Sequence, residues 1–149
     1  MTPPDRAEAL LRRYFDACNA ADVETLRACF TEDAVHWFPP GMPGEAWRGA
    51  EAIAANWARF VAKLDAVWTV DRLIAAPDGR EAVLEYSNWT GAERLTRGVD
   101  WYLLTEDLAR IAEVRGYFAA PVDLSREVNE LAGFPYAARG YPTARPDRE

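Results

Sequence analysis

At 149 residues with a formal net charge of −7, the chain has room for one sizeable core and repels nucleic-acid phosphates and anionic membrane surfaces. Half of it is hydrophobic and 12% is aromatic, which excludes disorder, and its two cysteines and one histidine are too few for a zinc or iron site. No acidic loop with cation-ligand spacing and no apolar run of membrane-spanning length is present. The first elements are helical. Ala7, Leu10, Leu11, Tyr14 and Cys18 recur at three- and four-residue spacing and predict a helix over 6–20. Asp22 and Glu24 suit the N-cap and first turn of a second, short helix. "EDAVHWFPPG" predicts a strand ended by Pro39, and "PGMPGEAWRG" a loop. A third helix is expected over about 50–63, with Ile53, Trp57, Phe60, Val61 and Leu64 as its apolar stripe. Cys18 and Cys29 read as small buried hydrophobes.

From Ala66 the helical period gives way to strands. "AVWTVDRLIAA", "REAVLEYSNWT", "RLTRGVDWYLL" and "RIAEVRGYFA" are separated by the turns "PDG", "GAE" and "TEDLA". Such short connections predict an antiparallel meander. "DLSREVNELAGF" predicts a short C-terminal helix with Gly133 past its end. The tail from about 134 is rich in Pro, Gly and charge, which suits a mobile far end. Its aromatics Phe134, Tyr136 and Tyr141 suggest that the nearer part folds back over the body, at the mouth of any cavity. Helices followed by strands indicate an α+β fold of one domain over 1–149: three N-terminal helices on the concave face of a curved, mostly antiparallel sheet. The conical space between them is a natural ligand pocket. The N-terminus has no apolar signal segment, so the expected location is cytoplasmic.

"RRYFDACNAADVETLRACFTEDAV", with "GVDWYLL" followed by "RIAEVRGYF", resembles the nuclear transport factor 2-like superfamily over about residues 6–120. That superfamily includes ketosteroid isomerases, scytalone dehydratases, limonene-epoxide hydrolases and SnoaL-like polyketide cyclases. The likeness implies that Tyr14 matches the isomerase's phenol donor and Asp100 its carboxylic acid donor, the two forming an oxyanion hole. The isomerase's general-base Asp corresponds to position 38, which here is Phe38. The same likeness puts His36 and Phe38 of the first strand, and Glu85 and Trp89 of the third, on the pocket face. Strand alternation adds Tyr102 beside Asp100.

The expected catalytic set is Tyr14, His36, Glu85 and Asp100, with Phe38, Trp57, Trp89, Tyr102 and Phe118 in contact with substrate. Asp100 is the informative member. An acid within so apolar a strand is costly unless paired, hydrogen-bonded or neutral. His36 is expected to move a proton near neutral pH, with Glu85 as the alternative base. None of G-x-G-x-x-G, G-x-x-x-x-G-K-[ST] or G-x-S-x-G occurs, so neither cofactor nor metal is expected. The chemistry open to this set is isomerisation, cyclisation, dehydration or epoxide opening of a small, largely apolar molecule. A non-catalytic binder of a hydrophobic ligand and a protein-interaction adaptor are the alternatives. Trp101 and Tyr117 fall on the outer sheet face with Glu113 and Arg115, which suggests a homodimer through that face.

Overall fold

The computed structural model describes residues 1–39, 46–119, 125, 127–131 and 133–147. Most of the loop expected at "PGMPGEAWRG" lies outside them. Helix α1 (Pro3–Ala20) starts earlier than its apolar spacing indicates, because Thr2 and Asp5 form a capping box. The Thr2 amide donates to Asp5 Oδ2 at 2.9 Å, and the Asp5 amide donates to Thr2 Oγ1 at 3.3 Å. Pro3 and Pro4 fit there because the first turn has no use for their missing N–H. Asp22 caps α2 (Val23–Ala28), accepting from the Thr25 amide at 3.1 Å. Strand β1 (Phe30–Trp37), the two-residue β2 (Trp47–Arg48) and helix α3 (Ala50–Leu64) follow.

The meander comprises β3 (Ala66–Ala75), β4 (Glu81–Thr90), β5 (Arg94–Leu104) and β6 (Ile111–Phe118), each antiparallel to the next. The sheet order is β2-β1-β6-β5-β4-β3, with β1 parallel to β6. This is the expected α+β cone. Helix α1 packs on β3 and α3 on β1, and Leu11, Leu26, Ile53, Leu84, Ile111 and Val114 are fully buried between the layers. No helix among the described residues is long and apolar enough to cross a membrane.

The β4–β5 register decides which side chains face the helices. Leu84 pairs with Asp100, Tyr86 with Gly98 and Asn88 with Thr96. Directly paired residues share a face, so Leu84, Tyr86 and Asn88 point inward. Glu85, Ser87 and Trp89 point to the outer face, the reverse of the expectation for Glu85 and Trp89. Gly98 is required by this register, since a Cβ there would overlap the Tyr86 hydroxyl.

The predicted C-terminal helix is not formed in its described part. Val128–Asn129 is instead a short strand, β7, parallel to β5 at Leu95 and Thr96. The pairing of β6 with β5 reaches only Gly98, so β7 occupies the ladder positions beyond it. Val128 and Leu131, the apolar residues a helix would have buried, stay about half exposed. A three-residue 3-10 turn, Ala137–Arg139, comes later.

Residues 133–147 fold back as expected, onto the outer face of β3–β5 and not at the cavity mouth. Arg97 of β5 is the anchor, only 5% exposed. Its Nε donates to Glu130 Oε2 at 2.7 Å, and its Nη1 donates to Ser87 Oγ at 2.8 Å and to the Pro142 carbonyl at 3.1 Å. Its guanidinium lies 3.9 Å over the Tyr136 ring. Tyr136 packs edge-on against Phe134 and Tyr141, with centroids 4.6 and 5.3 Å away. Further on, Arg145 pairs with Asp65 at 3.0 Å and donates to the Gly91 carbonyl at 2.8 Å. Trp101 and Tyr117 remain 39% and 56% exposed on the uncovered part of this face. Arg115 pairs with Glu113 of its own strand at 3.3 Å and lies over the Trp101 ring.

Removing residues 133–149 takes away the Pro142 carbonyl and the Tyr136 ring from a buried cation. One hydrogen bond to a charged group contributes about 1.5–3 kcal/mol, so the urea midpoint of the shortened chain should fall accordingly. An unchanged midpoint would show that the strap does not anchor the sheet.

Candidate active site

The helices and the inner face of the sheet enclose a cavity of about 290 Å³. Its deep end is formed by Tyr14 of α1, His36 of β1, Asp100 of β5 and Gly116 of β6. Its walls are aromatic. Trp57 meets Trp47 edge-on at 4.7 Å and Trp68 at 5.2 Å. Towards the mouth the lining turns polar, with Asn88, Thr90, Thr96 and Asn129.

Asp100 is 6% exposed, and burial pushes its carboxyl up from an ordinary 3.8 to about 7. A hydrogen bond from Tyr102 Oη to Oδ2, at 2.8 Å, pulls it partly back down. Oδ1 faces Gly116, where a Cβ would stand 3.2 Å away. Glycine therefore keeps the second carboxyl oxygen approachable. Asp100 is thus poised between acid and base near neutrality.

His36 is 1% exposed. Its Nδ1 lies 3.3 Å from the Trp37 carbonyl, which can only accept, so the proton belongs on Nδ1 and Nε2 is the bare acceptor. Nε2 has no hydrogen-bond partner among the described residues. Burial drives this histidine down to about 3, the Trp37 carbonyl opposing only weakly. It is a neutral imidazole and not the proton mover expected of it near pH 7. Phe38, standing where the isomerase has its base, stacks on the His36 ring at 4.1 Å and 6°.

Tyr14 lines the same deep end, and burial, foremost, raises its phenol well above 10, with Cys18 and the Asp100 charge adding to it. It is a permanent donor. It does not bond to Asp100, however; the phenol that does is Tyr102, whose ring meets that of Tyr14 edge-on at 6.3 Å. The Trp57 indole N–H comes near the Tyr14 hydroxyl without hydrogen-bond geometry.

Of the residues expected from sequence, Tyr14, His36, Phe38, Trp57, Asp100 and Phe118 line the cavity together. Tyr102 lies behind Asp100, fully buried, and positions it. Glu85 and Trp89 do not line it. The Glu85 carboxylate accepts from the Tyr141 hydroxyl on the outer face, and Trp89 is buried on that same face. Sequence reasoning missed Trp47, Trp68, Tyr86, Asn88, Thr96 and Asn129. The inward set of β4 was recoverable from its hairpin: counting outward from the "GAE" turn pairs Thr90 with Arg94 and hence Leu84 with Asp100. Among the described residues no group of three or more His, Cys, Asp or Glu side chains could hold a metal ion.

Residues 11–125 match the family of the SnoaL-like domain. The chain belongs to that family. A protein of unknown function with a cystatin-like fold from Methylobium petroleophilum is 35% identical to this SnoaL-like chain. The match covers 98% of this chain and 97% of that one, with a TM-score of 0.76. SalBIII, described as an epoxide hydrolase/cyclase-like enzyme in pyran ring formation in the polyether salinomycin, is 19% identical. Here 76% of this chain and 91% of that one are covered, with a TM-score of 0.66. An LEH-like epoxide hydrolase from M. tuberculosis is also 19% identical, over 82% and 86% of the two chains, with a TM-score of 0.64. At that identity the last two show the shared fold alone. No curated protein matches the sequence.

The raised Asp100 carboxyl has a signature in stability. An acid whose pKa is higher folded than unfolded contributes stability below its unfolded pKa and loses it as pH rises through the folded value. The interval from 3.8 to about 7 corresponds to about 4 kcal/mol at most. Asp100→Asn should therefore match the parent near pH 4 and exceed it in urea stability by up to about that amount at pH 8. Carbon-13 titration of the parent should place the Asp100 carboxyl near 7. A stability difference independent of pH would mean that Asp100 is an ordinary ionised residue.

Proposed function

We propose that this SnoaL-like chain is an enzyme that performs acid–base chemistry without a cofactor on a small, largely apolar molecule, with Asp100 transferring the proton. The observation that carries the reading is a carboxyl poised near pH 7 in an aromatic cavity beside a neutral imidazole acceptor. A general acid or base is most effective when its pKa is near the working pH. Tyr14 adds a second donor at the same end.

Among the reactions open to this set, opening of an epoxide by a hydroxyl group, within the substrate or from water, fits best. Protonated Asp100 gives its proton to the epoxide oxygen as the C–O bond breaks. His36 Nε2 accepts the hydrogen bond of the attacking hydroxyl, whose proton is lost as the new C–O bond forms and returns through solvent to the Asp100 carboxylate. Proton removal from carbon is less well served, since the isomerase's base position is Phe38 and His36 is a weak base. The fold neighbours described as epoxide hydrolases or cyclase-like agree with this direction. A second reading, a non-catalytic carrier of an apolar ligand, is favoured by the same Phe38 stack on His36.

The test is turnover of a panel of aryl and alicyclic epoxides, hydroxy-epoxides and enolisable ketones by the intact protein. Activity should appear with epoxides and lose its acid limb above about pH 7. Asp100→Asn should lower kcat/KM by about 10²- to 10⁴-fold, the usual worth of a positioned proton donor. Turnover of ketones alone would overturn the epoxide reading, and ligand binding without turnover of any panel member would favour the carrier.

The assembly we propose is a homodimer through the uncovered outer face, where Trp37, Trp101 and Tyr117 are exposed together. Light scattering should give twice the mass of one chain, and Trp101→Glu should give one. A parent protein that is monomeric at micromolar concentration would exclude this interface.

A further inference from the structure

We infer that the cavity takes an elongated, ring-bearing molecule with an oxygen function at each end, one held at Asp100 and the other by Asn129. The inference rests on the pocket reading above and adds a second recognition point to it. Asn129 is supplied by β7 and pairs with Thr96. It lines the cavity and is 6% exposed, and its carboxamide can both donate and accept. In a cavity wall, such a group is complementary to a ligand's carbonyl or hydroxyl.

Asn129 does not stand alone. Thr96 pairs with Asn129 on one side and with Asn88 on the other, so three polar side chains form a row across β7, β5 and β4. All three line the cavity. Asn88 donates its Nδ2 to the Val67 carbonyl at 3.3 Å, which leaves its Oδ1 as an acceptor. Asp100 lies four residues further along β5, about 13 Å away at about 3.3 Å per residue. The lining between the two ends is aromatic, with Trp57, Phe60, Trp68 and Tyr86. This order of polar end, apolar barrel and polar end is what selects a rod with two oxygen functions over a ball or a single-headed ligand.

The inward aim of Asn129 is enforced from the other side of the sheet. Glu130, the next residue, points outward and accepts from buried Arg97 at 2.7 Å. Arg97 is itself held by Ser87 and the strap. Strand alternation then directs Asn129 to the cavity. Residues 129 and 130 both lie beyond the segment 11–125 that matches the SnoaL-like family, so this recognition point is an addition carried by the C-terminal extension.

The test uses two probes of matching scaffold, 4-phenylphenol with one hydroxyl and 4,4′-biphenol with one at each end, titrated by calorimetry into the full chain. The parent should bind 4,4′-biphenol more tightly, by up to about tenfold, the range of one neutral hydrogen bond. Asn129→Leu should bring the two affinities together while changing that of 4-phenylphenol by less than about twofold. Thr96→Val, on the adjacent strand, should narrow the ratio in the same direction. A ratio unchanged by both variants, or an equal loss for both probes, would overturn the second recognition point and leave the pocket reading standing. If neither probe binds the parent, the pocket reading falls and this inference falls with it.

Discussion

The shielding of one carboxyl from water governs the rest of the site. Asp100 is placed in the cavity by a register that also requires Gly98 and Gly116, the first to admit Tyr86 and the second to leave Oδ1 uncovered. The same dry surroundings act on every titratable neighbour, always against the charged form. They raise Asp100 towards neutrality, lower His36 to about 3 and keep the phenols of Tyr14, Tyr86 and Tyr102 protonated. Burial alone therefore produces a donor and an acceptor side by side, without an ion pair to hold them. Such a pair is complementary to a neutral molecule better than to a charged one, because neither partner brings a charge of its own.

The two faces of β4 and β5 solve opposite problems. Inward, Leu84, Tyr86 and Asp100 build a dry space in which one ionisable group is left partly unpaired. Outward, Ser87, Asp71 and Arg97 form a saturated polar cluster: Ser87 donates to Asp71 Oδ2 at 2.5 Å and accepts from Arg97 at 2.8 Å, and Thr69 donates to Asp71 Oδ1 at 2.7 Å. A buried Arg without such partners would be strongly destabilising. Because side chains alternate, a slip of one residue would exchange these faces and place Arg97 and Glu85 in the cavity. The register is thus under constraint from both sides, and the aromatic interior and the polar exterior each penalise the alternative.

Legibility in the sequence followed the range of the interaction. Elements set by local spacing were readable: the helices, the meander and the odd position of Asp100 all rest on contacts within a few residues or one hairpin. Even the early start of α1 was written in "TPPD", whose capping signal outweighs the weak apolar spacing there. Glu85 and Trp89 were assigned to the wrong face because their register came from a likeness to another family, whereas the length of the "GAE" turn fixes it locally. His36 is in the expected place with an unexpected character, since its proton affinity depends on complete burial under Phe38 and Trp57. Strand β7 was not readable at all. Its stretch has the composition of a helix, and it pairs with β5 only because β6 stops short. Where a neighbouring strand ends is a tertiary fact, and tertiary context overrides propensity in so short a segment.

A cavity of this kind is a liability in stability, and the extension beyond the family domain bears on that liability. With Asp100 ionised above pH 7, the site costs about 4 kcal/mol at most, a large part of the 5–15 kcal/mol that separates folded from unfolded domains. His36 adds no pH dependence on the alkaline side. Its depressed pKa contributes stability above its ordinary value near 6.5 and loses that as pH falls towards 3, so the two groups slope in opposite directions across the acid range and nearly cancel there. Above neutrality the Asp100 cost stands alone and must be met by contacts that do not titrate nearby. The strap supplies contacts of that type to Arg97, which stays charged at any relevant pH and projects from the far face of the very strand that carries Asp100: the Pro142 carbonyl and the Tyr136 ring. The pH-independent clamp on the outside of β5 and the pH-sensitive acid on its inside are therefore two consequences of one alternating strand.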